Sequence, residues 1–225
     1  MSAAFDHLVI AAATLAEGIA WCKNTLGITP GPGGEHALFG THNRLLKLAC
    51  DGAPNAYLEI IAVNPGATPA RVAPLKRWFD LDQPALQARL QQQGPQPIHW
   101  VASVPDLGEA LTAWRALGIE RGPALTASRH TPAGLLQWQI AVRDDGQRLL
   151  SGCLPTLIQW GAAHPAHSMP LSGLLLRQLR LSHPQHSLLR AALQTIGLHG
   201  VRVDGGDPSL IAEIDTQIGS AALRH

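Results

Sequence analysis

Two stretches of the sequence match each other and decide the fold: FDHLVIAAATLAEGIAWCKNTLGI at residues 5–28 and IHWVASVPDLGEALTAWRALGI at residues 98–119. Each begins with a short, mostly apolar segment, which predicts a half-buried or buried β-strand. Each then continues at helical spacing to a Leu-Gly-Ile ending, where the glycine suits a helix C-cap. The sequence therefore predicts two copies of a unit that begins with a strand and a helix.

Both predicted helices carry a recognisable start. Thr14 is followed three residues later by Glu17, and Asp106 is followed at the same spacing by Glu109. This spacing lets the first side chain accept from the backbone of the third helical residue, as in a capping box. We therefore expect helices over 14–26 and 106–117.

Three β-like segments follow each helix, separated by turn chemistry such as Asp144-Asp145-Gly146. They are residues 36–40, 44–50 and 57–63 in the first copy, and residues 123–129, 135–142 and 156–160 in the second. The triplet Thr41-His42-Asn43 is interpreted as a turn between the first two. A single βαβββ unit leaves one face of its sheet exposed to solvent, and a second copy can bury that face. The repeat therefore favours two units packed together in one structure.

The chain divides into four parts on this interpretation, and the fold class is α+β. They are a first βαβββ module at 1–65, a connector at 66–97 with a helix at 84–93, a second module at 98–165, and a C-terminal extension at 170–225. The extension reads as β, α, β, β and can be interpreted as a partial third copy.

Composition excludes several classes of protein. The 225 residues contain 17 Lys+Arg and 16 Asp+Glu, with a formal charge of +1, and no basic cluster follows any predicted face, which argues against a nucleic-acid partner. A charged fraction of only 15% favours burial of surface in a homodimer. No glycine-rich phosphate loop follows a strand, so no nucleotide cofactor is expected, and a Gly-x-Ser-x-Gly nucleophile motif is absent.

The cellular compartment can also be predicted. The 3 cysteines are far apart in sequence and form no CxxC pair, which is typical of a reducing compartment. The first residues lack a basic region, and the apolar run 8–13 is too short to cross a bilayer. We expect a cytoplasmic protein without a membrane segment.

The segments FDHLVIAA, FGTHNRLLKL, YLEIIAVNP and CLPTLIQWG resemble the vicinal oxygen chelate superfamily, over roughly residues 5–183. This superfamily includes glyoxalase I, extradiol dioxygenases, fosfomycin-resistance proteins and methylmalonyl-CoA epimerase. The chain is most similar to its glyoxalase-like bacterial members of unassigned activity. The resemblance implies that two modules curl into an open half-barrel cleft.

The resemblance also implies a ligand set, because metal ligands in this superfamily come from the first and last strand of each module. The corresponding positions are His7, Glu59, His99 and Gln159. Gln159 departs from the pattern, since a carboxylate is more usual there. Two imidazoles and a carboxylate suit Zn, Ni, Fe or Mn, and a divalent ion that polarises a carbonyl would let Glu59 act as base. The alternative is that these are core residues satisfied by hydrogen bonds.

Further side chains are candidates for substrate binding. A Gly-rich loop leads into the second β-like segment and carries His36, His42, Asn43 and Arg44, although the loop can also be a solvated turn. Trp100 and Trp138, on strands of the second module, are expected to line the pocket if they are not plain core. His164 and His167 are interpreted as a surface turn.

Three functions remain open from the sequence. The first is a metal-dependent lyase or isomerase acting on a small oxygen-rich metabolite, with Glu59 as base. The second is metal-free binding or sequestration of a small molecule, which Gln159 favours. The third is a dioxygenase, which ordinarily needs two histidines and one carboxylate on iron.

Overall fold

The computed structural model describes residues 2–132 and 134–224, and over these residues the chain forms two β-sheets with helices packed against them. The predicted α+β class is confirmed. In chain order the helices and strands are β1 (Ala4–Ala11), α1 (Leu15–Leu26), β2 (Glu35–His36), β3 (Thr41–Lys47), β4 (Ala49–Cys50), β5 (Tyr57–Val63), α2 (Pro84–Gln93), β6 (Gln96–Ser103), α3 (Leu107–Ala116), β7 (Ala124–Thr131), β8 (Gly134–Ala141), β9 (Thr156–Trp160), β10 (Leu175–Ser182), α4 (His186–Thr195), β11 (Val201–Asp204), β12 (Ser209–Thr216) and β13 (Gly219–Arg224).

The larger sheet has eight strands in the order β2-β3-β5-β1-β6-β9-β8-β7. In each module the first strand pairs in parallel with the last, β1 with β5 and β6 with β9. The two modules then meet through the antiparallel pair β1 and β6. The sheet curves into a nearly closed half-barrel, which confirms the predicted architecture.

The start signals of the two module helices act as the sequence predicts. The Thr14 side chain accepts from the backbone N–H of Glu17 at 3.2 Å, and Asp106 accepts from that of Glu109 at 2.8 Å. Gly27 ends α1 with φ of 73°, a conformation in which glycine avoids the steric cost of a Cβ atom. These caps fix where each helix leaves its strand.

The convex face of the half-barrel carries the main hydrophobic core. Leu8 and Ile60 on the sheet, Leu26 on α1 and Trp114 on α3 are all fully buried in it. Burial of such side chains contributes roughly 1.5–3 kcal/mol each. The convex face is therefore structural, and the concave face is where a site can form.

The connector fills much of the concave face. Trp78 stacks on Phe39 with ring centroids 4.0 Å apart, and Phe79 stacks on Trp78 at 4.8 Å. Phe79 and Asp80 adopt the left-handed conformation, with φ of 60° and 61°. The Asp80 carboxylate accepts from Arg148 Nε at 2.8 Å, which ties this strained turn to the second module. Two large rings of the connector are thus held inside the half-barrel.

The C-terminal extension differs from a third copy of the module. Its strands follow the order β11-β10-β12-β13, so the first strand pairs in parallel with the strand directly after α4 and not with the last one. It also has one strand more than predicted, β13, paired with β12. The extension packs on the convex side, where Trp114 Nε1 donates to Ala192 O at 2.9 Å. The extension therefore does not repeat the strand order of the two modules.

The loop before β3 also corrects the sequence prediction. Thr41, His42 and Asn43 lie inside β3, and of the strand expected at 36–40 only His36 is in a strand, at the end of β2. The turn is made at Gly40, where φ is 60°, and Thr41 then pairs with Val63 of β5. Pairing with β5 thus overrides the local turn preference of these polar residues. Within the described residues, no helix is long and apolar enough to cross a membrane.

Candidate functional site

A small cavity of about 30 Å³ lies on the concave face, and we call it the inner chamber. Its polar lining consists of His7, His36, Asn43, Tyr57, Glu59 and Arg129, and its apolar walls include Trp78, Trp138 and Trp160. A cavity of this size holds about two water molecules. It can therefore enclose only a few heavy atoms of a ligand.

Asp6 and His7 form a buried pair at the floor of the chamber. The register of β1 on β6 shifts between Phe5 and His7, so the strand is irregular at Asp6. Asp6 Oδ1 lies 2.6 Å from His7 Nδ1. Because an ionised carboxylate only accepts, Nδ1 carries the hydrogen, and Nε2 is left facing Glu59 Oε2 at 3.6 Å.

Asp6 is held ionised by its neighbours. Burial alone would raise its pKa, but hydrogen bonds and charge from His164 and His7 outweigh burial and lower the pKa to about 2. Its second oxygen accepts from Trp160 Nε1 at 2.9 Å and lies 3.3 Å from His164 Nε2. Asp6 thus orients His7 from one side and anchors the end of β9 from the other.

Glu59 is buried and is positioned by Asn43. The Asn43 amide donates to Glu59 Oε1 at 2.6 Å, and its oxygen accepts from the Gly34 backbone at 2.8 Å. The same amide nitrogen lies 3.3 Å from His36 Nε2. All hydrogen-bonding groups of Asn43 are therefore engaged, which fixes the direction of the Glu59 carboxylate.

His36 is neutral in the folded protein. Burial, assisted by the positive charge of Arg129, lowers its pKa from 6.5 to about 3. With the Asn43 amide at Nε2, Nδ1–H donates to Thr41 Oγ1 at 3.0 Å. Tyr57 is neutral as well, because burial and the nearby carboxylates of Asp6 and Glu59 raise its pKa well above 10.0.

Trp78 and Arg129 line the chamber, and three of their buried donor atoms have no acceptor among residues 2–132 and 134–224. These atoms are Trp78 Nε1 and the Nε and Nη1 of Arg129. No carboxylate of the described residues lies within ion-pair distance of Arg129. A buried donor without an acceptor costs roughly 1–3 kcal/mol, so both groups are suited to an acceptor supplied by a ligand.

The structure brings together five of the residues predicted for the site. His7, His36, Asn43, Glu59 and Trp138 all line the inner chamber. The other predicted residues, namely His99, Gln159, His42, Arg44 and Trp100, do not line it. The first and second modules therefore contribute unequally to the site.

His99 is fully buried and its two nitrogens are already bonded. Nδ1 donates to Gly152 O at 3.1 Å, and Nε2 lies 2.9 Å from Thr156 Oγ1, which in turn accepts from Arg121 Nη2. Burial, with the charge of Arg121 beside it, lowers the His99 pKa well below 6.5. The Nε2 lone pair that a metal would use thus accepts from the threonine hydroxyl.

Gln159 points away from the cleft. Its Oε1 accepts from the backbone N–H of Leu107 at the start of α3, at 2.8 Å. The residue that matches Glu59 in the second module is Thr156, because Val9 pairs with Glu59 as Val101 pairs with Thr156. Side chains alternate between the two faces of a strand. Gln159 is three residues after Thr156 on β9, so its side chain lies on the opposite face, toward the helices.

These positions do not fit the expected metal. A row of rings from His36 through Trp78 and Phe79 to His99, with centroid distances of 4.8, 4.8 and 5.1 Å, lies between the two halves of the predicted ligand set. Among the described residues, no group of three His, Cys, Asp or Glu side chains is arranged to hold a metal ion. This set of residues therefore does not support a metal-dependent step.

His42, Arg44 and Trp100 were also predicted for the site, but they lie outside the chamber. His42 and Arg44 alternate with Asn43 along β3 and so face away from the chamber. Trp100 is fully buried in the convex core, stacks on Phe5 at 6.1 Å and donates to Cys153 O at 2.9 Å.

Sequence reasoning missed several residues of the site. Trp78 lies in the stretch that the sequence predicts to be a connector. Two adjacent aromatic residues, Trp78 and Phe79, are unusual in a chain with 4% aromatics and could have indicated a buried segment. Arg129 follows Leu125 and Ala127 on the inward face of β7, and a charge on an apolar face was the available signal. His164 is 8% exposed and bonds Asp6, so its interpretation as a surface turn is wrong.

A larger cavity of about 520 Å³ adjoins the inner chamber, and we call it the outer groove. The two cavities share Leu45, Arg129 and Pro165 in their walls. The outer groove is formed by residues 28–33, part of β3, the β7–β8 hairpin and the segment 162–172. The two cavities are therefore neighbours that share part of one wall.

Acid should destabilise the protein through its neutral histidines. The pKa of His36 is about 3 in the folded chain, against an ordinary value of 6.5 for an exposed histidine. Between these two pH values the unfolded chain binds more protons than the folded chain, so the free energy of unfolding falls as the pH falls. His99 acts in the same direction. We expect a loss of up to about 1.4 kcal/mol per pH unit for each histidine below pH 6.5.

Urea denaturation at stepped pH measures this effect. His36→Gln should reduce the slope of unfolding free energy against pH, whereas His130→Gln, at an exposed position on β7, should leave it unchanged. An identical slope in the wild type and in His36→Gln would contradict the assignment of His36 as a neutral buried residue.

Comparison with known proteins was made for both sequence and structure. A family model described as a glyoxalase-like domain matches residues 5–197. No curated protein matches the sequence. A hypothetical protein from Staphylococcus aureus has a similar structure, with a TM-score of 0.59 and 13% identity, covering 99% of this chain and 85% of that chain. At this identity the match supports the fold alone.

Methylmalonyl-CoA epimerases are weaker structural matches. A variant of the Streptomyces coelicolor enzyme in complex with 2-nitronate-propionyl-CoA has a TM-score of 0.42 and 17% identity, covering 71% of this chain and 95% of its own. The Mycobacterium tuberculosis enzyme has a TM-score of 0.39 and 18% identity, covering 71% of this chain and 87% of its own. At these TM-scores the two matches carry no weight for the function.

Proposed function

This chain belongs to the glyoxalase-like domain family, and from that premise we propose that its inner chamber binds a small carbonyl-containing carboxylic acid and exchanges a proton at the carbon beside the carbonyl. Glu59 is the base in this proposal. The reaction class is that of an isomerase or lyase that begins with removal of an acidic C–H proton.

The observation that carries the proposal is the set of unsatisfied donors in the same cavity as a buried carboxylate. Trp78 Nε1–H and the Arg129 guanidinium need acceptors, and a carboxylate with a neighbouring carbonyl offers them. Oxygen charge that develops during proton removal would be stabilised by donors that are already in place and shielded from water.

The proton transfer can be written with this chain's own residues. A Glu59 oxygen accepts the C–H proton, the electron pair of that bond forms a C=C double bond, and the carbonyl oxygen becomes an enolate oxygen facing Trp78 and Arg129. Return of a proton from Glu59 to carbon completes an exchange. Asn43 holds the carboxylate in position at 2.6 Å, and Asp6 holds the imidazole of His7 beside it.

A metal-dependent lyase, isomerase or dioxygenase does not have its ligand set here. His99 bonds Thr156 and Gly152, and Gln159 bonds the start of α3. The proposed chemistry therefore relies on Arg129 and Trp78 in the role of the electrophile. Protein purified without chelator should exchange the substrate proton equally well after dialysis against EDTA.

Proton exchange in D₂O tests the proposal directly. Protein is incubated with 2-oxobutanoate and with a panel of other 2-oxo and 3-oxo acids, and the C–H signal next to the carbonyl is followed by proton NMR. We expect signal loss faster than in a protein-free sample for at least one acid. No exchange above background across the panel would overturn the proposed reaction.

Binding of the head group should depend on Arg129. Arg129→Met removes the cation and up to two charge-assisted hydrogen bonds, each with a net value of about 1.5–3 kcal/mol, so affinity for the acid should fall by at least about 10- to 150-fold. Arg44→Met, on the opposite face of β3, is the matched control. Equal affinities of the two variants by calorimetry would refute this role.

A second candidate function is binding without turnover. It is favoured by the aromatic walls of the chamber, where Trp138 and Trp160 pack at 5.6 Å and enclose the polar groups. Tight binding of an acid without proton exchange would select it over the enzyme. Self-association and a cytoplasmic location stay predictions from composition.

A further inference from the structure

We infer that the substrate is amphiphilic, with its carboxylate head in the inner chamber and an unbranched alkyl tail in the outer groove. This rests on the proposed function for the position of the head. It adds the substrate class, a medium-chain oxo acid, which the chamber alone does not specify.

The first argument is the difference in size between the two cavities. The chamber of about 30 Å³ accepts only a head group, while the adjoining groove of about 520 Å³ is within the range of sites for small organic ligands. Leu45 and Arg129 belong to both walls. A ligand held by Arg129 therefore has the groove as its way out.

The second argument is the chemistry of the groove wall. Much of it is apolar, with Leu136 on β8 and Pro165, Met169 and Leu171 on the segment after β9. Leu136 is 6% exposed, while Leu171, at the mouth, is 87% exposed. An alkyl chain would gain contact with both and remove apolar surface from water.

The third argument is charge. Among the described residues, the charged side chains that line the groove are Arg129 and Lys47, and no Asp or Glu lines it. Lys47 Nζ is bonded to the carbonyl oxygens of Pro54 and Ala166, at 2.7 and 3.3 Å, whereas Arg129 Nε and Nη1 have no partner among the described residues. The available cation thus stands at the inner end, so the anionic head points inward and the tail outward.

Along β8 the same direction can be followed residue by residue. Leu136 lines the groove, and Trp138, two positions further on the same face, lines the chamber. One strand therefore presents an apolar side chain to the tail and an aromatic wall to the head. This continuity favours a single extended ligand over two unrelated ones.

Affinity for a homologous series tests the inference. Dissociation constants of straight-chain 2-oxoalkanoates with four to ten carbons are measured by calorimetry on the full chain. Each added methylene that enters the groove should tighten binding by about fourfold, until the groove is filled. Met169→Asp, which places a charge in the tail path, should flatten this dependence.

Val72→Asp is the matched control, since Val72 is 64% exposed and lines neither cavity. It should keep the wild-type dependence on chain length.

Equal affinities across the series would overturn the tail assignment, even where proton exchange on 2-oxobutanoate shows that the head assignment is right. If no acid binds, both fail. If sedimentation shows a dimer that Met169→Asp dissociates and the dependence is flat, a second copy covers the groove and the inference is wrong.

Discussion

Replacing Glu59 with glutamine should lower the rate of proton exchange on the oxo acid by 10²- to 10⁴-fold, the usual contribution of a positioned general base. Glutamine has nearly the same size and can still accept from the Asn43 amide, which donates to Glu59 Oε1 at 2.6 Å. What is lost is the ability to take up a proton. Binding of the acid should change far less, because Arg129 and Trp78 remain.

The measurement is the D₂O exchange rate at saturating 2-oxobutanoate, with calorimetry and thermal unfolding on the same samples. Glu35→Gln is the matched control, since Glu35 is an exposed carboxylate on β2, two strands away from β5 in the same sheet. Glu35→Gln should keep the wild-type rate. A Glu59→Gln protein that binds the acid and retains more than a tenth of the rate would exclude Glu59 as the base.

The family resemblance implied the positions of His7 and Glu59, and the repeat supported their convergence. Matching strand–helix units place a polar residue of an apolar strand at a defined point, and β1 and β5 are adjacent and parallel in the structure. His36 and Asn43 were also found, because a Gly-rich loop beside a strand commonly carries binding residues. These predictions rested on short segments of sequence, and local periodicity and capping predicted the strands and helices that carry them.

Other parts of the site depend on contacts between distant segments. The connector sequence has no helical or strand periodicity from which the positions of its aromatic rings could be predicted. Trp78 is held at the chamber by stacking on Phe39 of the first module. Gln159 was placed by analogy, yet the register of β6 on β9 puts Thr156 opposite Val101. A wrong choice of residue within a strand moves a side chain to the other face.

His99 shows why matching positions in a repeat need not share a role. His7 and His99 occupy equivalent positions, since the same offset also matches Val9 with Val101. His7, however, is bonded by a carboxylate and lines a cavity, whereas the Arg121–Thr156 pair bonds His99 within the interior. Burial lowers the pKa of Arg121 to about 10, yet it remains a cation near neutral pH and disfavours a second cation beside it.

Replacing Phe79 with alanine should have the largest effect on stability, a loss of about 3–5 kcal/mol in the free energy of unfolding. The ring is 2% exposed and lies between Trp78 and His99, at centroid distances of 4.8 and 5.1 Å. Its removal leaves a cavity that these rings cannot close, because Trp78 is fixed by Phe39 and His99 by Gly152. For a chain of 225 residues the melting temperature should fall by roughly 6–20 °C.

Val72→Ala in the same connector is the control, since Val72 is 64% exposed and should change the free energy of unfolding by less than about 0.5 kcal/mol. Urea denaturation of both variants measures the difference. A Phe79→Ala protein within about 1 kcal/mol of wild type would show that the connector rings are not part of the packed core. Phe79→Leu separates lost volume from lost shape, because leucine refills much of the cavity and should recover about half of the loss. Such recovery of stability by leucine would show that apolar volume at this position, and not the aromatic ring itself, stabilises the packing between the connector and the second module.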